Sequence, residues 1–75
     1  MSTTAEVAKM ETFLKNNLTA FEQQKARVLE LQSSLALYDD KAVIRGIKKQ
    51  IVVHQKLAVA YLQNAQNLQQ VLENL

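Results

Sequence analysis

The feature that most restricts the fold of this chain is its lack of turn-forming residues, since its 75 residues contain no proline and a single glycine. Glycine and proline supply the tight turns between β-strands, and both are unfavourable inside helices. Hydrophobic residues make up 48% of the chain, a share too high for a compositionally disordered segment. The sequence therefore predicts one all-α domain over residues 1–75.

A helix-capping motif stands near the beginning of the chain. Thr3 and Glu6 have the spacing of a capping box, in which the hydroxyl and the carboxylate each accept a backbone N–H at the start of a helix. Neither glycine nor proline follows before residue 38. A first helix over about 4–38 is therefore predicted.

This first helix carries a heptad pattern, which we number with Val7 at position a. The a positions are all apolar: Val7, Leu14, Phe21, Val28 and Leu35. Position d is interrupted by Asn17 and Gln24. We expect Leu18 to replace Asn17 in the apolar stripe, so that the repeat approaches the 3.6 residues per turn of a straight helix.

The acidic pair Asp39 and Asp40 provides the break in the pattern. Aspartate is a favourable N-cap, because its carboxylate accepts N–H bonds at the positive end of a helix. A turn at about 39–40 and a second helix over about 41–74 are therefore predicted. The second helix has Ile44, Ile51, Ala58, Ala65 and Leu72 at a, and Ile47, His54, Tyr61, Leu68 and Leu75 at d. Within this apolar seam, His54 is the interruption.

An antiparallel hairpin aligns the two seams when facing residues have numbers that add up to about 79. This alignment sets Val28 on Ile51, and it sets the large Phe21 on the small Ala58, which keeps the helix spacing constant. The predicted architecture is therefore an antiparallel two-helix hairpin of the coiled-coil type. The alternative is one continuous helix of about 70 residues in an intermolecular coiled coil.

The same alignment predicts a polar layer inside the hairpin, because Gln24 and Lys25 fall beside His54. In the structural hypothesis, a hydrogen bond between His54 and Gln24 fixes the helix register. In the functional hypothesis, His54 is a pH-sensitive switch or a ligand, since imidazole changes its charge near neutral pH. Catalysis by His54 is not expected, because its predicted neighbours include neither a nucleophile nor a carboxylate.

Apolar residues of the second helix extend beyond its seam. This surplus includes Val43, Val52, Leu57, Val59, Leu62 and Val71. A stripe wider than one helix–helix seam favours burial against a further helix, and chains this short usually need an added source of stability. We therefore predict an interface at these residues, formed with a second copy in a four-helix bundle or with a different protein.

A run of basic residues begins the second helix. It consists of Lys41, Arg45, Lys48, Lys49 and Lys56, with no acidic residue between the first and the last. Such a surface is typical of binding to nucleic acid or to another anionic ligand. However, no aromatic residue alternates with these cations to stack on bases. The alternative is a solvated face that keeps the chain soluble.

The C-terminal stretch from residue 57 contains one charged side chain, Glu73, and many amides. Amides lose their hydration at a lower cost than ions and pair with one another across helices. One hypothesis is that this stretch makes contacts in a larger assembly, of which the chain is a structural subunit. The alternative is a neutral solvated face.

The composition argues against catalysis, metal binding and a cofactor. The chain has no cysteine, one histidine and a single glycine, so no thiolate metal site and no glycine-rich phosphate loop are predicted. The longest apolar run, residues 57–62, is too short to span a membrane, and no secretion signal is recognised, so a cytoplasmic protein is expected. The leading hypothesis is a non-enzymatic helical interaction protein that self-associates and binds another protein as an adaptor, chaperone or inhibitor.

Overall fold

The computed structural model describes residues 3–75, which form two long helices packed side by side in opposite directions. Helix α1 spans Thr4–Ser34, a 3-10 turn spans Leu35–Leu37, and helix α2 spans Lys41–Glu73. The molecule measures 58 × 13 × 13 Å, the dimensions of a helix pair with no third layer. The predicted all-α hairpin is confirmed, and the alternative of one continuous helix is wrong for this structure.

The capping box predicted at the start of α1 is present. The Thr3 hydroxyl accepts the Glu6 N–H at 3.1 Å, and the Glu6 carboxylate accepts the Thr3 N–H at 3.3 Å. These two bonds satisfy N–H groups that have no partner within the helix.

Helix α1 ends earlier than the sequence predicts, at Ser34 instead of about residue 38. The Ser34 hydroxyl donates to the Leu31 carbonyl at 2.7 Å, and the chain then tightens into the 3-10 turn Leu35–Leu37. Tyr38 is extended. The physical reason is that the last carbonyl groups of a helix have no N–H partners within the helix. Here the Ser34 hydroxyl and the 3-10 turn supply hydrogen-bond donors to some of these carbonyls while the chain reverses.

The start of α2 follows the N-cap expected from the acidic pair. The Asp40 carboxylate accepts the N–H groups of Ala42 and Val43, at 2.8 and 3.3 Å. Negative charge at this end also complements the helix dipole. The connection between the helices therefore needs neither glycine nor proline.

The seam between the helices keeps a strict heptad, with partly or fully buried side chains at alternating spacings of three and four residues. In α1 and the 3-10 turn these are Val7, Met10, Leu14, Asn17, Phe21, Gln24, Val28, Leu31 and Leu35. In α2 they are Ile44, Ile47, Ile51, His54, Ala58, Tyr61, Ala65, Leu68 and Leu72. The two stripes face each other along the whole hairpin.

Leu18 does not replace Asn17 in this seam, so that prediction is wrong. Leu18 is 42% exposed, whereas Asn17 is half-buried at its heptad position. The Asn17 amide donates to the Phe13 carbonyl of its own helix at 2.7 Å. Because this bond satisfies part of its polar group, Asn17 is tolerated in the seam and the heptad does not drift.

The fully buried core of the described chain is small. It consists of Val28, Leu31, Ile51, Ala58 and Ala65. The first three form one cluster, with Leu35 and Ile47 packed against it near the turn. The predicted contact between Val28 and Ile51 is thus present. Towards the termini, the buried α2 residues are alanines, so less apolar surface is removed from water there.

Neither helix of the described chain offers an apolar stretch of the length that crossing a membrane requires.

Candidate interaction surfaces

The polar layer joins the two helices through a single side-chain pair. The Nδ1 atom of His54 lies 2.5 Å from Oε1 of the Gln24 side-chain amide, and both residues are half-buried. A carbonyl oxygen only accepts hydrogen bonds, so Nδ1 carries the hydrogen. The bond joins α1 to α2 inside the seam, which favours the structural hypothesis for His54.

Lys25 lies outside this layer, although the sequence alignment puts it beside His54. Its side chain is exposed, and its ammonium group lies 5.8 Å from the centre of the Phe21 ring. This is the geometry of a cation–π contact. The physical reason is position: Lys25 follows the seam residue Gln24, so its charged end reaches water past the aromatic ring.

The six residues predicted as an apolar interface lie on two opposite sides of the hairpin. In antiparallel helices, heptad positions g and c project to one side of the plane through both axes, and positions e and b to the other. Val43, Leu57 and Val71 occupy g, whereas Val52 and Val59 occupy b and Leu62 occupies e. All are exposed except Leu62, which is half-buried.

The first side is uncharged along α2. Its g and c positions are Val43, Gly46, Gln50, Val53, Leu57, Ala60, Asn64, Asn67 and Val71, and we call this set the neutral face. Near the termini, Phe13 of α1 and Val71 line an open groove of about 340 Å³, together with Asn17, Asn64, Asn67 and Leu68. The described structure thus leaves two large apolar side chains, 47% and 49% exposed, side by side.

The second side combines apolar and basic groups. Leu29 of α1 and Val59 of α2 border an open groove of about 380 Å³ over Phe21 and Ala58. Lys25 and Gln55 also line it. This groove arises because alanine opposes phenylalanine in the seam, which leaves room beside the ring.

The five cations predicted as an anion-binding surface occupy positions e, b and f of α2, and we call this set the basic face. Lys41, Arg45 and Lys48 line a shallow pocket over Ile44. Among residues 3–75, the salt bridge formed joins Arg27 to Glu30 of α1, at 3.1 Å. No residue of the basic face takes part in it. Its charges are therefore available to an anionic partner.

The amide-rich end of α2 contributes to both sides. Asn64 and Asn67 line the groove beside Phe13, and the Gln69 amide donates to the Glu73 carboxylate at 3.3 Å. Two of these amides therefore border an apolar groove, whereas Gln63, Gln66 and Gln70 are exposed at positions f and b, away from it.

Leu29 of α1 is an exposed apolar residue that was not among the predicted interface residues. It lies at b, the position that Val52 and Val59 occupy in α2. The heptad pattern indicates this position, but in α1 Leu29 is an isolated large apolar residue there. Within the described residues, no group of three or more histidine and acidic side chains is arranged to hold a metal ion.

Comparison of the chain with protein-family models, with curated proteins and with solved structures finds no match.

Proposed function

We propose that this protein is a non-enzymatic helical interaction protein that self-associates and binds a further protein as an adaptor, chaperone or inhibitor. In this proposal one side of the hairpin is covered by a second copy, and the other side holds the partner. A cytoplasmic location accompanies the proposal.

The observation that carries the proposal is the large surface of the isolated hairpin. The chain exposes 5806 Å², whereas a compact monomer of 8.5 kDa exposes about 4,700 Å². The excess of about 1,100 Å² is more than the roughly 800 Å² that each partner buries in a standard interface. The exposed residues include large hydrophobic side chains on both helices, such as Phe13 and Leu29 of α1 and Val53 and Val59 of α2. Such a surface is typical of a protein that works in contact with others.

The chemistry of the second side supports a partner different from the chain itself. Its groove between Leu29 and Val59 is lined mainly by apolar side chains, and Lys25 also lines it. The basic face lies on the same helix, towards the turn. A partner helix with an apolar stripe and acidic flanks would complement both features.

Self-association is tested by sedimentation and circular dichroism across a dilution series from micromolar to nanomolar. We expect the oligomer to dissociate on dilution and the helix signal to fall with it, because the small core is stabilised by association. A monomer that stays folded at nanomolar concentration would contradict self-association.

Partner binding is tested by capture from the host lysate with the purified chain and two variants at position b. We expect Val59→Glu to lose the partner, because it places a carboxylate at the apolar groove, and Gln66→Glu to retain it. Equal capture by both variants would show that the groove is not the binding site.

A second candidate function is binding of nucleic acid or another anionic ligand through the basic face. The observation that favours it is the absence of salt bridges from its five cations among the described residues. We expect Lys48→Glu combined with Lys49→Glu to weaken oligonucleotide binding by about 10- to 100-fold at low salt and to reduce its salt dependence. The matched control, Lys9→Glu with Lys15→Glu, changes the net charge equally on the other helix. An equal loss in both variants would rule out a specific role of the basic face.

A further inference from the structure

We infer that the second copy binds to the neutral face, with the α2 helices of the two copies packed antiparallel about a twofold axis at Leu57. This inference rests on the self-association proposed above and specifies its surface, its direction and its register. The occupant of the neutral face is thus a second copy of this chain.

The first argument is the distribution of charge around α2. The neutral face contains no ionisable side chain between Val43 and Val71, whereas the five basic residues of α2 all lie at positions e, b and f. Burying an unpaired charge is costly, so a surface free of charge over the length of a helix is the one that can be dehydrated cheaply. In the hairpin this surface remains open, with Val53 54% exposed and Leu57 39% exposed.

The second argument is that the neutral face repeats the spacing of the existing seam. Positions g and c alternate at intervals of three and four, as positions a and d do, and five of the nine residues at them are apolar: Val43, Val53, Leu57, Ala60 and Val71. Helix α2 therefore carries two heptad seams, one of which is filled by α1. A helix with two seams is typical of bundles with more than two helices.

The third argument is that the neutral face is complementary to itself about Leu57. Val43 and Val71 lie fourteen residues on either side of Leu57, and the amides Gln50 and Asn64 lie seven residues on either side. Antiparallel pairing about this point therefore sets valine on valine, amide on amide and leucine on leucine. Between these layers Val53 meets Ala60 of the second copy, a large residue against a small one.

The direction follows from the charges outside the neutral face. All five basic residues of α2 lie in its first half, at 41–56, and its acidic residue, Glu73, lies near its end. Parallel pairing would bring the two basic halves together, whereas antiparallel pairing sets each basic half against the half that ends in Glu73. Antiparallel helix dipoles also attract each other.

In this arrangement, a side chain of the second copy fills the groove beside Phe13. Phe13 and Val71 line it near the termini, and antiparallel pairing brings Val43 of the second copy to Val71. The groove volume of about 340 Å³ is larger than a valine side chain.

The surface is tested by measuring dimer dissociation constants for matched charge substitutions. We expect Leu57→Glu to weaken the dimer at least about 100-fold, because two carboxylates then meet at the axis, while the exposed Val59→Glu leaves it unchanged within about threefold. Circular dichroism at high concentration checks that each variant still forms helix. Loss of the dimer in Val59→Glu with retention in Leu57→Glu would overturn the assigned surface and leave self-association intact.

The direction is tested by disulfide formation, for which the chain is well suited because it contains no native cysteine. We expect Leu57→Cys to form a covalent dimer on oxidation, and Val43→Cys to form one with Val71→Cys but not with itself. Cross-linking of Val43→Cys with itself would overturn the antiparallel direction. A wild-type chain that remains monomeric at every concentration would overturn both this inference and the self-association on which it rests.

Discussion

Replacing Ile51 by alanine is expected to lower the free energy of unfolding by about 2–5 kcal/mol, enough to unfold much of the protein at 25 °C. Ile51 is 8% exposed and packs in the cluster with Val28 and Leu31. The substitution removes buried methyl and methylene groups and leaves a cavity between two helices that cannot collapse far. Because the fully buried core of residues 3–75 has five members, the loss of one removes a large share of it.

The effect of Ile51→Ala is measured by urea unfolding at a fixed protein concentration, since association also contributes to stability. The matched control is Val52→Ala, the next residue along the same helix, which is 47% exposed. We expect the control to change the stability by no more than about 0.5 kcal/mol. Equal losses in the two variants would contradict the packing of Ile51 against α1.

Replacing Gln24 and His54 together by leucine is expected to stabilise the protein by about 1–4 kcal/mol while reducing the uniqueness of its assembly. Their hydrogen bond joins α1 to α2 inside a seam that is otherwise mainly apolar. Two leucines bury more apolar surface than the polar pair does. They also remove the polar layer, which disfavours assemblies with a shifted helix register or a different number of helices.

The coupling between Gln24 and His54 is measured by a double-mutant cycle with the two single leucine variants. We expect an interaction energy of about 1–3 kcal/mol, because each single substitution leaves a half-buried polar group without its partner. Sedimentation of the double variant is expected to show additional oligomers. If the two substitutions prove additive, the pair is not coupled in solution and the structural role of His54 is wrong.

Much of the hairpin was predictable because its elements depend on local interactions. The capping box at Thr3, the N-cap at Asp40 and the heptad spacing each involve residues within one or two helical turns. The contact between Gln24 and His54 was also predictable, since the turn position sets the alignment of two regular helices. These features follow from helix geometry, and a linear pattern records that geometry.

The deviations arise where neighbouring side chains compete for the same environment. Leu18 is more hydrophobic than Asn17, yet Asn17 keeps the seam position because its amide bonds to the Phe13 carbonyl. Lys25 is adjacent to the polar layer in sequence, but its chain is long enough to place the ammonium over Phe21. Such outcomes depend on side-chain length and on hydrogen-bond partners. An assignment of residues to heptad positions contains no information on either.

The sequence by itself determined that the chain forms two helices, where each begins, and which stripe of each is apolar, because these properties depend on interactions close along the chain. The tertiary structure decided where α1 ends, which polar residues the seam accepts, and how the remaining apolar side chains divide between two opposite sides. On α2 alone, Val43, Leu57, Val52 and Val59 belong to one broad apolar stripe. In the hairpin, Val43 and Leu57 lie on one side, and Val52 and Val59 lie on the other. The two sides are separated because α1 covers the middle of that stripe. Helix packing, and not hydrophobicity alone, therefore decides which surface remains for a partner.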